Sequence, residues 1–182
     1  MKISRRTILT GTVATSGFLL MDSFRPDAFA ADGKSLKLPL SRPAGNLDPQ
    51  RYVAVWAVQD MIFDPLVHYA RGGVLEPALA ESWTVSDDSK VFTFKLRPNV
   101  VFSDGEPWNA ETMKWNFERW IPKKDYNWLL VSENFDKIEV VDPMTVTLHL
   151  KKSTPTALIE LAYVRPVRFL SPKSVPGCSC RW

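Results

Sequence analysis

The side chains in this sequence that could do covalent or metal chemistry are few, and their spacing argues against both. His68 and His149 lie far apart, in separate stretches that read as strands, with no further ligand at a zinc-like spacing beside either. Cys178 and Cys180 could oxidise in an oxidising compartment, but a Cys-x-Cys ring is tight and strained, and two ligands do not complete a metal site. Asp87 and Asp88 fall among Ser86, Ser89 and Lys90 and read as turn formers, not as an acid/base pair. A Gly-rich phosphate loop, a nucleophile elbow and an HExxH helix are all missing. The expectation is a protein that is not an enzyme and has no resident cofactor. What remains are residues that bind without reacting. Arg165, in Arg165-Pro166-Val167-Arg168-Phe169, carries a planar fork that suits a carboxylate. On residue type alone it reads as one half of a surface or interlobe salt bridge. Trp128, in Asn127-Trp128-Leu129, divides evenly between stacking on an organic ligand and ordinary packing.

These residues need a scaffold, and the composition supplies one. Of 182 residues, 45% are hydrophobic and 24% charged, which is ordinary for a folded domain and excludes disorder of the whole chain. The formal charge of +3 weakens once the first thirty residues are set aside, because Lys2, Arg5, Arg6 and Arg25 all lie there. No basic run or face suggests a nucleic-acid partner. Leu36-Lys37-Leu38 reads as a first strand. Residues 53–63 read as a short helix ending before Asp64-Pro65. Leu66 to Tyr69 and Val74-Leu75 flank Arg71-Gly72-Gly73, a turn. Trp83-Thr84-Val85 and the alternating run Val91 to Leu96 predict a hairpin with one buried face. Asn109 stands as N-cap to a helix over 110–120, with Ala110, Met113, Phe117 and Trp120 on one stripe. A second hairpin is expected around Asp142-Pro143-Met144, and a short helix over 156–163. Hairpins interleaved with helices imply a mixed α+β or α/β lobe.

The stretch from Leu79 to Arg97 (LAESWTVSDDSKVFTFKLR) continues into Val101-Phe102-Ser103-Asp104-Gly105-Glu106-Pro107. Leu47-Asp48-Pro49, Asp64-Pro65-Leu66-Val67 and Asn116-Phe117 accompany it. Together these resemble the peptide/nickel-binding solute-binding family of bacterial ABC transporters, in order and spacing, from about Leu36 to about Pro172. The resemblance implies the N-terminal lobe of a two-lobed periplasmic binding protein, monomeric, working with a permease and an ATPase. Arg165-Pro166-Val167-Arg168-Phe169 is similar to a segment of nickel-binding members whose first arginine pairs with a carboxylate of a metal-chelating small molecule. That resemblance makes Arg165 the leading ligand-binding candidate and leaves Arg168 structural. Trp128 matches a cleft tryptophan of the same members, and Tyr52 is a further cleft candidate. At two positions the sequence departs: Asp125 replaces a basic residue, and Trp56 stands where those members carry a cleft methionine. The implied ligand is accordingly a nickel or other metal chelate, a different metallophore, or a short peptide.

The first thirty residues read as an export signal. Ser4-Arg5-Arg6-Thr7-Ile8-Leu9 precedes a modest apolar stretch, and Ala28-Phe29-Ala30 offers a small-x-small cleavage site. This pattern resembles a Tat signal, with a Sec signal that happens to contain two arginines as the alternative, and either leads to the periplasm. The expected organisation is a signal peptide over 1–30, a partial N-terminal lobe over 31–176, and a tail over 177–182 outside the family pattern. Because the family is several times longer, the second lobe is expected to be missing through a frameshift, a premature stop or a fragmentary gene. Such a lobe alone is expected to be poorly stable and to bind little. The competing reading is a remnant or stand-alone interaction fragment with no transport role.

Overall fold

Period-two patterning builds the centre of the structure, a computed structural model that describes residues 39–40, 43, 45, 47–51, 55–164 and 166–175. By internal packing the chain divides into two units, Met1–Ser41 and Arg42–Trp182, and every element below lies in the second. The chain runs through helix α1 (Trp56–Ile62), strands β1 (Val67–Tyr69), β2 (Leu75–Pro77), β3 (Ala80–Val85) and β4 (Val91–Leu96), and helix α2 (Ala110–Trp120). A 3-10 turn (Lys124–Tyr126), helix α3 (Leu130–Glu133), strands β5 (Phe135–Asp142) and β6 (Thr145–Leu150), helix α4 (Ala157–Leu161) and a last 3-10 turn (Pro172–Ser174) follow.

β1 and β2 form a two-stranded antiparallel ribbon, and the other four strands form an antiparallel sheet in the order β3-β4-β6-β5. Two cross-strand rows define the buried face. One runs Trp83, Phe94, Val146, Val140, and the other Phe92, Leu148, Ile138, with Val85 opposite Phe92 left exposed at the edge. Phe92, Phe94, Val146 and Leu148 are fully buried. Residues one step along the strands face away from this core, so Thr93 and Thr147 meet hydroxyl to hydroxyl at 3.2 Å. The apolar stripe of α2, Met113, Phe117 and Trp120, completes the core over this face.

The expected hairpins, the α2 helix and the reversal at Gly72 and Gly73 are all present, the two glycines at φ +86° and +82°, where only glycine is unstrained. The Asn109 cap is a full capping box: Asn109 Oδ1 accepts from the Thr112 amide, and the Asn109 amide donates to Thr112 Oγ1. Some elements run differently from expectation. β5 starts before the expected run over 138–141, at Phe135, because it pairs with β6 out to Leu150. Trp83 is partly buried, since β3 is an edge strand. The 3-10 turn and α3 were not expected from patterning, being too short to show a period. The expected strand over 36–38, the export signal and the two cysteines lie outside the described residues. Among the described residues, no helix is long and apolar enough to cross a membrane.

Candidate ligand-binding face

Three short segments bring three aromatic rings together at one edge of the structure. Trp56 is the first residue of α1. Trp128 sits in the link between the 3-10 turn and α3, with Tyr126 and Leu129 buried on either side of it. Those two anchors fix the link, and Trp128 stands out from it 51% exposed. Tyr163 follows α4, whose Leu161 is fully buried. The Tyr163 ring meets Trp56 at a centroid distance of 5.5 Å and an interplanar angle of 76°. It meets Trp128 also at 5.5 Å, at 82°. Both are edge-to-face contacts, each contributing about 0.5–1.5 kcal/mol beyond area burial. The trio is therefore ordered while its tryptophans stay open to solvent, Trp56 being 42% exposed.

Two polar clusters hold the segments behind these rings. In the first, the Arg168 side chain, 2% exposed, donates through Nη1 to the carbonyls of Ala162 (3.3 Å), Tyr163 (2.9 Å) and Val167 (3.0 Å). Its Nη2 donates to Asp60 Oδ1 of α1 at 2.7 Å. Burial pulls the Arg168 pKa down and the Asp60 carboxylate opposes this, so the guanidinium remains charged. In the second, Arg119 of α2 binds Asp48 with both Nη atoms, at 3.2 and 2.6 Å, and donates to Gln50 Oε1. Gln50 Nε2 donates to Asn116 Oδ1 at 2.9 Å, and Asn116 also holds Leu170 through both its amide and its carbonyl. Burial raises the Asp48 pKa, but the Arg119 and Gln50 hydrogen bonds outweigh it and leave the carboxyl below its usual range. Lys123, desolvated and beside Arg119, is pushed below its usual range and donates to the Gln50 carbonyl at 3.0 Å.

The motif pieces scattered along the sequence thus converge. Asp48, Asn116 and the segment 166–170 meet in one network, and Phe169 packs edge-on against Trp108 (4.7 Å) and tilted against Phe117 (6.3 Å). A cleft of about 430 Å³ opens beside Tyr163, lined also by Asp60, Tyr69, Ile159 and Arg168.

Of the predicted ligand-binding residues, Trp56 and Trp128 are brought together through Tyr163. Arg165 and Tyr52 lie outside the described residues. Tyr163, which the sequence places at the end of a helix with no binding role, stands at the centre of the trio. Its signal was an aromatic two positions before Arg165. His68 lies on β1 and His149 on β6, in different sheets. Among the described residues, no group of three or more His, Cys, Asp or Glu is placed to hold a metal ion.

The family described as bacterial extracellular solute-binding proteins, family 5, matches residues 74–173. The chain belongs to that family. It is 35% identical over 152 residues to the nickel-binding periplasmic protein of Escherichia coli K12, covering 82% of this chain and 29% of that protein. The structure of an ABC transporter substrate-binding protein from Sinorhizobium meliloti superposes with a TM-score of 0.72 and 47% identity. That of NikA from Brucella suis in complex with Fe(III)-EDTA gives 0.70 and 37%. Each superposition covers 74% of this chain and 28% of the other. The mixed α+β architecture is thus part of a periplasmic binding protein fold, and the chain spans under a third of the relatives it matches.

Proposed function

We propose that this chain belongs to the substrate-capturing component of an ABC importer, exported to the periplasm, which binds a carboxylate-bearing metal chelate and carries out no covalent chemistry. Arg165 pairs with a ligand carboxylate, Trp128 and Trp56 form an aromatic wall, and Tyr52 contributes a further ligand contact. A permease and an ATPase would receive the ligand. The observation that supports this reading is the solvent-open trio of Trp56, Tyr163 and Trp128, of which Tyr163 precedes Arg165 by two positions in the sequence. The resemblance to proteins whose names carry nickel binding and an Fe(III)-EDTA complex favours a chelate over a peptide.

Magnitudes set the expected affinity. A charge-assisted carboxylate pair contributes roughly 1.5–3 kcal/mol and an aromatic contact about 0.5–1.5. Together these correspond to a dissociation constant of roughly millimolar. Tryptophan fluorescence of the chain titrated with Fe(III)-EDTA should show saturable quenching in that range. Arg165→Ala should weaken it roughly tenfold or more, and a tetrapeptide should quench less at equal concentration. Quenching by the tetrapeptide alone would reverse the ligand assignment. A response unchanged by Arg165→Ala and Trp128→Ala would sink the reading.

A further inference from the structure

The helix that carries Trp56 has little of its own to hold it. α1 is seven residues long, has no side-chain N-cap, and buries one residue among its seven, the polar Gln59. A helix this short is marginal in isolation, and its place is normally set by a buried apolar face. α1 presents Met61 and Ile62 to solvent, 61% and 52% exposed. Two polar contacts tie it to distant described residues. Gln59 Nε2 donates to the Asp48 carbonyl at 3.3 Å, and Asp60 accepts the short bond from Arg168. Asp60 stands four residues after Trp56, so both occupy one face of the helix.

Arg168 reaches the same aromatic trio from its other side. Three carbonyls of the segment following α4 converge on its Nη1, including that of Tyr163 itself. One guanidinium thereby grips the Trp56 helix through Asp60 and the Tyr163 backbone directly. Its Nε, buried, has no hydrogen-bond partner among the described residues. A buried ion pair is weak evidence for stability, and in some proteins such groups specify geometry instead. We infer that Arg168 and Asp60 are positioning residues that set the spacing of the Trp56–Tyr163–Trp128 wall and so tune ligand affinity, without touching ligand. This inference rests on the binding function proposed above only for its second clause.

The experiment compares Asp60→Asn, Arg168→Lys and Tyr163→Leu in the full chain. Near-UV circular dichroism reports the aromatic geometry, and fluorescence titration with Fe(III)-EDTA reports affinity. Tyr163→Leu supplies the spectrum of a disrupted trio. Asp60→Asn removes only the charge of a half-exposed carboxylate and leaves the three carbonyl bonds of Arg168 in place. It should keep the far-UV spectrum and a cooperative melt. Its near-UV spectrum should move toward that of Tyr163→Leu, and affinity should fall roughly three- to thirtyfold. Arg168→Lys should not rescue, because a point charge cannot span Asp60 and three carbonyls at once. If Arg168→Lys fails to fold, Asp60→Asn decides alone. A native near-UV spectrum in Asp60→Asn overturns the positioning role, whether or not the wild type binds chelate. Should the wild type show no saturable response to Fe(III)-EDTA, the binding function fails while the spectra still decide the positioning.

Discussion

The sheet with α2 and the rim made by α1, the Trp128 link and the segment after α4 are held by different physics. In the sheet, Phe92, Phe94, Leu148, Phe117 and Trp120 are sealed from water, and register follows from which side chains must be inside. At the rim, large aromatics stay open, the helix buries no apolar residue, and polar ties set positions. Apolar burial tolerates small shifts in direction, whereas a hydrogen bond at 2.7 Å does not. The body is thus placed by apolar burial, and the rim by directed polar contacts.

The sharpest test of that contrast is in the body. Phe94→Ala deletes a fully buried ring and should destabilise by about 3–5 kcal/mol. Urea unfolding followed by far-UV circular dichroism should show the midpoint collapse. Trp56→Ala, as large a deletion at the rim, should cost less than half as much. Equal losses would mean that the two regions are one core.

A smaller effect is expected at the seam. Asp48→Asn breaks the forked pair with Arg119, whose two side chains are 17% and 18% exposed. Each bond to a charged group contributes about 1.5–3 kcal/mol, less what solvent screens, so a loss of about 1–2 is expected. The Asp48 pKa is depressed in the folded chain below its ordinary 3.8. The stabilisation is accordingly complete above that ordinary value and is lost as pH falls through the folded value. The gap between the thermal melts of wild type and Asp48→Asn should narrow as pH falls from 6 toward 2.5. A constant gap would place the effect in packing and not in charge. Asn109→Ala, which removes one side of the capping box, should cost about 1 kcal/mol with no pH dependence over the same range.

The same contrast explains what the sequence made legible. Val91 to Leu96 alternates, the α2 stripe repeats at helical spacing, and Asn109 and Gly72-Gly73 are local signals that tertiary context did not override. Burial writes a period into sequence, so the body could be read. The rim writes none. α1 was recognised from its proline stop, but nothing in its pattern shows that Gln59 and Asp60 hold it. Arg168 was read as structural, and its bonds to Asp60 and three carbonyls agree, yet its link between two distant segments spans over a hundred positions. Asp48 and Asn116 stand in the sequence only as motif fragments, and Gln50 and Arg119 carry no signal at all, since a hydrogen-bond network leaves residue types but no spacing. Tyr163 was overlooked because one aromatic at a helix end is ordinary, and its two partners come from other segments.

The smallest stability change should come with the largest functional one. Trp128 is half exposed and has its edge-to-face contact with Tyr163, so Trp128→Ala should cost under about 1 kcal/mol in urea unfolding. If the rim exists for ligand, the same variant should lose most of the fluorescence quenching by Fe(III)-EDTA. Tyr163→Leu should fall between, because it keeps apolar volume but frees both tryptophans to turn. A Trp128→Ala chain that melts several kcal/mol lower would show that the ring supports the fold and that its exposure misleads. A variant of native stability whose quenching is also native would leave the wall intact as structure but remove it from the binding site, and Arg165 would then have to find another partner.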